Sequence, residues 1–217
     1  MNGGVDVSSF DWLLFDIGGV LIEYIGAPKI LEWMNWRVSN EEMSKMWLYS
    51  DSVRAFESGK ITPSEFADSI VSELQLSVKP DKFIEDFSKF TTGFYEGVEE
   101  FIQKLSEKYS IAALSNTNEI HWNRLCKENN FDKLITNNFL SFRTGYMKPD
   151  KEAYLNVIKE LNCKPDKIIF FDDNIINVEA ARETGMNSMQ VNGFDDLKKK
   201  ITGILAPALP VPQKGGK

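Results

Sequence analysis

Three apolar runs of the chain are followed directly by side chains that could do chemistry: Asp16, Ser115, and the pair Asp172 and Asp173. Each run has the character of a buried strand, and the carboxyl ends of parallel strands lie along one edge of a sheet. Carboxylates gathered there repel one another and raise one another's pKa values unless a cation intervenes. Because the candidate ligands are all oxygens, the set suits a hard divalent ion such as Mg²⁺ that keeps several waters.

A fourth candidate is Lys148, which precedes Pro149. The residue before proline is biased away from helical backbone, so we expect Lys148 at an extended loop end. Its ammonium group there would neutralise a phosphate or a carboxylate. Asp16 is followed two positions later by Gly18, where a second carboxylate would make a natural catalytic pair. Gly18 and Gly19 could also serve only to let the chain turn.

The elements that must position these residues alternate between strand and helix. Apolar runs predict strands at Trp12–Phe15, Ile111–Leu114 and Ile168–Phe171, with weaker candidates at Phe139–Phe142 and Ser188–Val191. Apolar periodicity predicts helices at Val98–Lys108, Glu119–Glu128, Lys151–Leu161, Val178–Glu183 and Asp195–Ile204. This alternation predicts an α/β fold with a doubly wound, mostly parallel sheet.

A helical insert interrupts this alternation, because Pro28 to Phe90 has helical periodicity and no convincing strand. We expect its helices over Pro28–Arg37, from Asn40, after an N-cap at Thr62, and from Lys79. The predicted domains are a core of residues 1–22 and 93–205 and a small, all-helical cap of residues 23–92. The Pro-, Gly- and Lys-rich tail, residues 206–217, is predicted to be disordered.

Composition excludes several classes of function. The net charge of −7 over 217 residues argues against a nucleic-acid or membrane-surface binder. No uncharged apolar run approaches the length of a membrane span, and the first ten residues lack the pattern of a signal peptide. The two cysteines, Cys126 and Cys163, have no metal-type spacing and indicate reduced thiols in the cytoplasm. We expect a monomer or a weak homodimer with a small phosphorylated metabolite as its partner.

The motifs in this order resemble those of the haloacid dehalogenase (HAD) superfamily. The resemblance covers about Trp12 to Leu205, and its four motifs are Asp16-Ile17-Gly18-Gly19-Val20, Leu114-Ser115-Asn116, Lys148-Pro149, and Phe171-Asp172-Asp173-Asn174 with Asn177. It implies a HAD-like Rossmannoid core, and the insert looks like the cap of subfamily I. The segments around Ser115 and Asp172 look most like bacterial sugar-phosphate phosphatases, including the glucose-1-phosphate type.

The resemblance implies a role for each matching residue. Asp16 would be the nucleophile and form an aspartyl-phosphate. Asp16, the Gly18 carbonyl and Asp173 would hold Mg²⁺, with Asp172 as a ligand or in support. The remaining implied roles are hydrogen bonds from Ser115 and Asn116 to the phosphoryl group, charge balance by Lys148, and orientation of the metal shell or of Lys148 by Asn177.

Gly18 is the departure from the family pattern, because most phosphatases of the superfamily carry a second aspartate there. That residue protonates the leaving group and later activates water, which is typically worth about 10²–10⁴-fold in rate. Without it, the enzyme would favour good leaving groups, use another residue or a water, or keep only residual activity.

Two other functions compete with the phosphatase. A 2-haloacid dehalogenase uses the same aspartate nucleophile without a metal, but the pair Asp172 and Asp173 suits a metal better than a halide. A catalytically weak binding or regulatory protein would be consistent with Gly18.

Plainer readings also exist for single residues. Asp16 could be a turn residue, and Asp172, Asp173 and Asn174 could cap a helix. We favour packing or capping over catalysis for His121, and cap packing over sugar stacking for the cap aromatics Trp33, Trp36, Trp47 and Tyr49. Another group could be only a solvated face: Lys29, Arg37, Lys45 and Arg54.

Overall fold

A parallel sheet organises residues 10–205, the part of the chain that our computed structural model describes. The strands are β1 (Trp12–Phe15), β2 (Ile22–Tyr24), β3 (Thr91–Phe94), β4 (Ser110–Ser115), β5 (Asn137–Leu140), β6 (Ile168–Asp172) and β7 (Asn187–Gln190). Five of them form the sheet in the order β5-β4-β1-β6-β7, and every neighbouring pair is parallel. The chain fills one side of β1 first and then the other, so the strand order reverses at β1, where open α/β sheets place their ligands. The predicted doubly wound α/β fold is confirmed.

Helices cover the sheet and fill the insert. The helices of the insert are α1 (Gly26–Trp33), α2 (Asn40–Tyr49), α3 (Asp51–Glu57), α4 (Pro63–Glu73) and α5 (Pro80–Phe87). Those that follow β3 are α6 (Val98–Ser106), α7 (Glu119–Asn129), α8 (Phe131–Leu134), α9 (Ser141–Thr144), α10 (Lys151–Glu160), α11 (Ile175–Glu183) and α12 (Gly193–Leu205), with a 3₁₀ turn at Pro165–Lys167.

The register of β1 explains why the candidate residues meet. Phe15 pairs with Ala113 of β4 and with Phe171 of β6, so the chains leave the sheet side by side just beyond it. Successive residues of β1 point to opposite faces, with Leu13 in one apolar cluster and Leu14 in another. A strand buried on both faces is apolar throughout, which is why Asp16 marks its end so clearly.

The helical insert buries an apolar cluster of its own between β2 and β3. Its centre is aromatic: the Phe66 ring lies 4.3 Å from that of Phe56 and 5.3 Å from that of Phe87. Capping boxes begin two of its helices, Ser39 with Glu42 on α2 and Thr62 with Glu65 on α4. The predicted N-cap at Thr62 is therefore confirmed.

Several predicted boundaries differ from the structure. The short strands β2 and β3 pair with each other at the two ends of the insert and were not predicted. Helix α1 ends at Trp33 because Asn35 and Trp36 adopt positive φ angles of 54°. The strand predicted at Phe139–Phe142 lies at Asn137–Leu140 and is followed by α9. Helix α11 begins at Ile175, earlier than predicted, because Asn174 caps it.

Within residues 10–205, no helix is both long and apolar enough to cross a membrane. The expectations for the signal-peptide region before Phe10 and for the tail from Ala206 lie outside the described residues.

Phe66→Ala tests the aromatic cluster of the insert. Phe66 is fully buried, so we expect the free energy of unfolding in urea to fall by about 3–5 kcal/mol because a cavity remains. The control is Leu155→Ala on α10, which is 44% exposed and should change the unfolding free energy by less than ~0.5 kcal/mol. Equal losses in the two variants would contradict the packing described here.

Candidate active site

The ammonium group of Lys148 lies between two carboxylates at the carboxyl edge of the sheet. Its Nζ is 2.8 Å from Oδ1 of Asp16, beyond β1, and 2.7 Å from Oδ2 of Asp172, at the end of β6. The Lys148 side chain is only 2% exposed. Burial alone would lower the pKa of Lys148, but the two carboxylates outweigh it and raise the pKa, so the lysine stays charged. The structure thus brings together three residues that are far apart in the sequence.

Asp172 is saturated with hydrogen bonds. Its Oδ1 accepts from the Asn174 backbone N–H at 2.8 Å, and both of its oxygens accept from Nδ2 of Asn177 at 3.1 Å. With Lys148 on Oδ2, little of this fully buried carboxylate remains for a ligand. Of the two roles predicted for Asp172, the geometry favours support over direct metal binding. Asn174 also caps α11, so the capping reading holds for that residue as well.

Asp16 and Asp173 are the carboxylates that remain open to the cavity. One oxygen from each of Asp16, Asp172 and Asp173 can be chosen so that all three lie within 4.8 Å of one another. Burial raises the pKa of Asp16 to about 7, with Asp172 and Asp173 adding to the effect and Lys148 opposing it. Burial and Asp172 raise the pKa of Asp173 to about 6. The negative charge of these crowded carboxylates is therefore not fully balanced by Lys148.

A divalent cation would balance the excess negative charge of these carboxylates. Three carboxylates against one ammonium leave a net charge of −2 when all are ionised. The buried Oδ1 of Asn177 has no hydrogen-bond partner in the structure, so an oxygen acceptor is also left over. Hard oxygen donors with excess negative charge are the ligand set that Mg²⁺ prefers.

The backbone requires glycine at only one of the two positions that follow Asp16. Gly19 has a φ of +71°, and a Cβ built on it would lie 2.5 Å from Oδ2 of Asp173, so a side chain would strike the acidic cluster. Gly18 needs no positive φ and has open space around a built Cβ. Two backbone hydrogen bonds close this turn: the Ile22 N–H donates to the Ile17 carbonyl, and the Gly19 N–H donates to the Ile22 carbonyl. The Gly18 carbonyl takes part in neither of them. That carbonyl is therefore available, as its predicted metal role requires.

Asn116 holds the loop that carries Lys148. Its Nδ2 donates to the Lys148 carbonyl at 2.8 Å, and its Oδ1 accepts from the Lys148 N–H at 2.8 Å. The side-chain amide is therefore engaged, which leaves the backbone N–H of Asn116 for the predicted phosphoryl contact. Ser115 lies beside it, buried at the end of β4, and lines the same cavity.

A cavity of about 570 Å³ opens above these residues, a size suited to a small-molecule ligand. Its floor contains Asp16, Gly18, Ser115, Lys148 and Asp173. The insert contributes the opposite wall, which is apolar and aromatic with a few charged groups: Ala27, Ile30, Glu41, Met43, Ser44, Lys45, Trp47, Leu48, Val53 and Glu57.

His121 makes buried hydrogen-bond contacts of the packing and capping kind, and it also lines the cavity. Its Nε2 lies 2.7 Å from the Phe87 carbonyl, and Nδ2 of Asn118 lies 3.2 Å from its Nδ1. Burial lowers the pKa of His121 to about 4, so the ring is neutral at neutral pH. It joins the start of α7 to the end of α5.

The cap aromatics divide into three groups. Trp33 is buried in the apolar cluster of the insert, as predicted, whereas Trp47 both packs on that cluster and lines the cavity. Trp36 and Tyr49 are exposed at 63% and 66%, so cap packing does not describe them.

Two features of the site were not predicted. Glu57 and Tyr24 line the cavity, and the sequence singled out neither residue. Arg54, read as part of a solvated face, forms a 2.6 Å ion pair with Asp150, two residues after Lys148. Ser50 is a typical N-cap residue, and the apolar residues after it have helical spacing. These two signals could have predicted that α3 continues to Glu57.

The fold and the acidic site define an α/β protein with an aspartate at the reversal point of its parallel sheet. Residues 10–185 match the family of haloacid dehalogenase-like hydrolases. The chain belongs to this family, which confirms the resemblance seen in the motifs.

Individual relatives are phosphatases. The D-ribitol-5-phosphate phosphatase of Bacteroides thetaiotaomicron is 23% identical over 208 residues, which cover 89% of this chain and 97% of that protein. A sesquiterpene phosphatase of Aspergillus oryzae is 27% identical over 183 residues, 82% of this chain and 88% of that protein. A solved HAD family enzyme from Bacteroides thetaiotaomicron, in complex with magnesium and inorganic phosphate, has a TM-score of 0.68 and 26% identity, and covers 84% of this chain and 94% of its own. These relatives support the predicted phosphatase type of enzyme.

Gly19→Ala and Gly18→Ala form a matched pair that tests the turn. Gly19→Ala should lower the free energy of unfolding by at least about 1 kcal/mol, because alanine resists a positive φ and its Cβ meets Asp173. Gly18→Ala should be neutral or stabilise by up to about 1 kcal/mol, because its backbone suits alanine. Urea unfolding measures both, and a larger loss in Gly18→Ala would contradict the described turn.

Proposed function

We propose that this enzyme hydrolyses small phosphomonoesters with Mg²⁺ through an aspartyl-phosphate on Asp16. The observation that carries the proposal is the buried Lys148 ammonium 2.8 Å from the Asp16 carboxylate, with Asp172 and Asp173 close by. This arrangement pairs a held nucleophile with an excess of carboxylates that a divalent cation would balance. Both phosphatase relatives and the magnesium and phosphate bound in the solved relative are consistent with it.

The proposal assigns a role to each residue of the site. Asp16 attacks phosphorus from its position beside Lys148, and Lys148 balances the negative charge shared by Asp16 and the phosphoryl oxygens. Ser115 and the backbone N–H of Asn116 bind phosphoryl oxygens. Asp16, the Gly18 carbonyl and Asp173 would hold Mg²⁺, which supplies charge neutralisation of the phosphoryl group when bound.

Asp172 and Asn177 act behind these groups, because Asn177 donates to Asp172 and Asp172 holds Lys148. We therefore assign Asn177 to the support of Asp172 and Lys148 and, through its unpartnered Oδ1, to the metal shell.

We propose that residues 23–92 act as a cap over a core formed by residues 1–22 and 93–205. The separate apolar cluster of the insert and its position opposite Asp16 across the cavity support this division. Such a cap would exclude water during phosphoryl transfer and select the substrate.

For the substrate we propose a small phosphorylated metabolite in the cytoplasm, with sugar or polyol phosphates first. The ribitol-phosphate relative supports this class, and the free cysteines Cys126 and Cys163 are consistent with that compartment. The largely apolar wall of the insert favours a second class, phosphomonoesters of apolar alcohols, and one relative is named as a sesquiterpene phosphatase.

Phosphate release under defined conditions tests the proposed function. We expect release from p-nitrophenyl phosphate, and from a sugar-1-phosphate or farnesyl phosphate, only with Mg²⁺. Asp16→Asn should reduce turnover to background with an unchanged circular dichroism spectrum, because the nucleophile is lost. Chloride release from 2-chloropropionate without phosphate release would contradict the proposal and identify a dehalogenase.

Asp173→Ala tests the proposed metal ligands. Removal of one carboxylate from the cluster should raise the Mg²⁺ concentration needed for half-maximal activity by at least about tenfold, the loss typical when a group supporting a metal is removed. Asp132→Ala, which removes an exposed carboxylate outside the cavity, is the control. An Asp173→Ala enzyme with the wild-type Mg²⁺ titration would exclude Asp173 as a ligand.

A further inference from the structure

The leaving group is the part of the reaction for which the floor of the site has no proton donor. An alkoxide is a poor leaving group and needs a proton as the P–O bond breaks. Gly18 has no side chain, Asp16 is the proposed nucleophile, and Asp173 is a proposed metal ligand. Lys148 is held between two carboxylates that stabilise its charged form. A side-chain proton donor would therefore have to come from elsewhere in the cavity.

Glu57, the last residue of α3, lines the same cavity from the wall of the insert. Its side chain is half-buried, and no hydrogen bond or ion pair within residues 10–205 engages its carboxyl group. The charged and titratable groups that face it are Lys148 from the core, Arg54 on its own helix, and Tyr24 on β2. A half-buried carboxyl group without a partner, turned toward a cavity, can exchange protons with a bound ligand.

Two contacts hold Glu57 in this position. Arg54, one turn earlier on α3, bonds Asp150 at 2.6 Å and so joins α3 to the loop of Lys148. Gly59, with a φ of +72°, lies so close to Phe142 that a Cβ on it would be 2.4 Å from the Phe142 carbonyl oxygen. The turn that follows Glu57 is therefore docked on the core near α9, on the side of the site.

The other titratable groups of the insert wall and its strands are less suited. Glu41 is ion-paired with Lys45 at 2.7 Å, which lowers its pKa and keeps it ionised. Both ring nitrogens of His121 are engaged. Burial and Glu57 raise the pKa of Tyr24, so its hydroxyl group is a weaker proton donor than a carboxyl group, and its base form is not populated near neutral pH. Burial raises the pKa of Glu57 to about 7, with Lys148 and Arg54 opposing, so both of its forms are populated near neutral pH.

We propose that Glu57 is the general acid and base of this phosphatase and replaces the carboxyl group that position 18 lacks. This inference rests on the proposed function.

In the first step an Asp16 oxygen bonds to phosphorus, the P–O bond to the leaving group breaks, and its oxygen takes the proton of Glu57. In the second step water bonds to phosphorus, the P–O bond to Asp16 breaks, and the water proton returns to Glu57. The products are the alcohol and inorganic phosphate, and both carboxyl groups regain their initial states.

Glu57→Gln with two esters tests this role. For an alkyl phosphate such as a sugar-6-phosphate, kcat/KM should fall about 10²–10⁴-fold, because the alkoxide loses its proton donor. For p-nitrophenyl phosphate, whose leaving group needs no proton, kcat/KM should fall less than about tenfold. Its kcat should still fall, with a burst of p-nitrophenolate, because hydrolysis of the aspartyl-phosphate loses its base.

The pH profile gives an independent readout. For the alkyl ester, wild-type kcat/KM should decline above about pH 7 as Glu57 loses its proton, and Glu57→Gln should lack this decline. Gly18→Asp in the Glu57→Gln background should restore alkyl-ester activity, since position 18 has room for a side chain. Asp68→Asn, a carboxyl-to-amide change on α4 outside the cavity, is the control and should keep wild-type rates.

The outcomes separate the two proposals. If the wild type is active and Glu57→Gln lowers kcat/KM equally for both esters, or for neither, only the proposed role of Glu57 is overturned. The proposed function then still stands. A wild type that releases no phosphate from either ester with Mg²⁺ overturns the proposed function and the role of Glu57 with it.

Discussion

The buried contact of Lys148 with Asp16 and Asp172 is the interaction on which the site depends. A cation removed from water is stable only when charge and hydrogen bonds replace its hydration, and two carboxylates at 2.7–2.8 Å do this. The contact joins the ends of β1 and β6 to the loop before α10. Since Asp173 adds a third carboxylate, the charge balance remains negative when all three are ionised, and the proposed Mg²⁺ would balance this excess.

Neighbouring residues hold Lys148 and its carboxylate partners in place. Asn116 fixes the backbone of Lys148 with two hydrogen bonds, so the strand that provides Ser115 also positions the lysine. Asn177 donates to both oxygens of Asp172. Gly19 is required where the first turn passes Asp173, whereas Gly18 is not required by the backbone. Backbone geometry therefore does not explain why position 18 lacks a side chain, and the proton donor that we propose lies in the insert.

Much of the core of this structure could be predicted from the sequence, because the strands that carry the site are short apolar runs that end in polar residues. Asp16, Ser115 and Asp172 mark those ends. The partners of β2 and β3 could not be predicted, since Ile22 and Phe94 pair across the whole insert and neither strand has a clear period. Contacts between insert and core were equally hidden: nothing local to Arg54 indicates Asp150, and the role of Asn116 depends on Lys148, 32 residues away.

The insert and the core therefore divide the proposed work. The sheet edge supplies the nucleophile, its counter-charge and the metal ligands, and the insert supplies the walls and the proposed proton donor. Mass spectrometry of the enzyme, quenched in acid during turnover of p-nitrophenyl phosphate with Mg²⁺, tests whether Asp16 is the nucleophile. We expect one phosphoryl group on the peptide that contains Asp16, at the side chain of Asp16 itself. Turnover with no phosphorylated enzyme under conditions that preserve acyl phosphates, or a phosphoryl group on another residue, would contradict it.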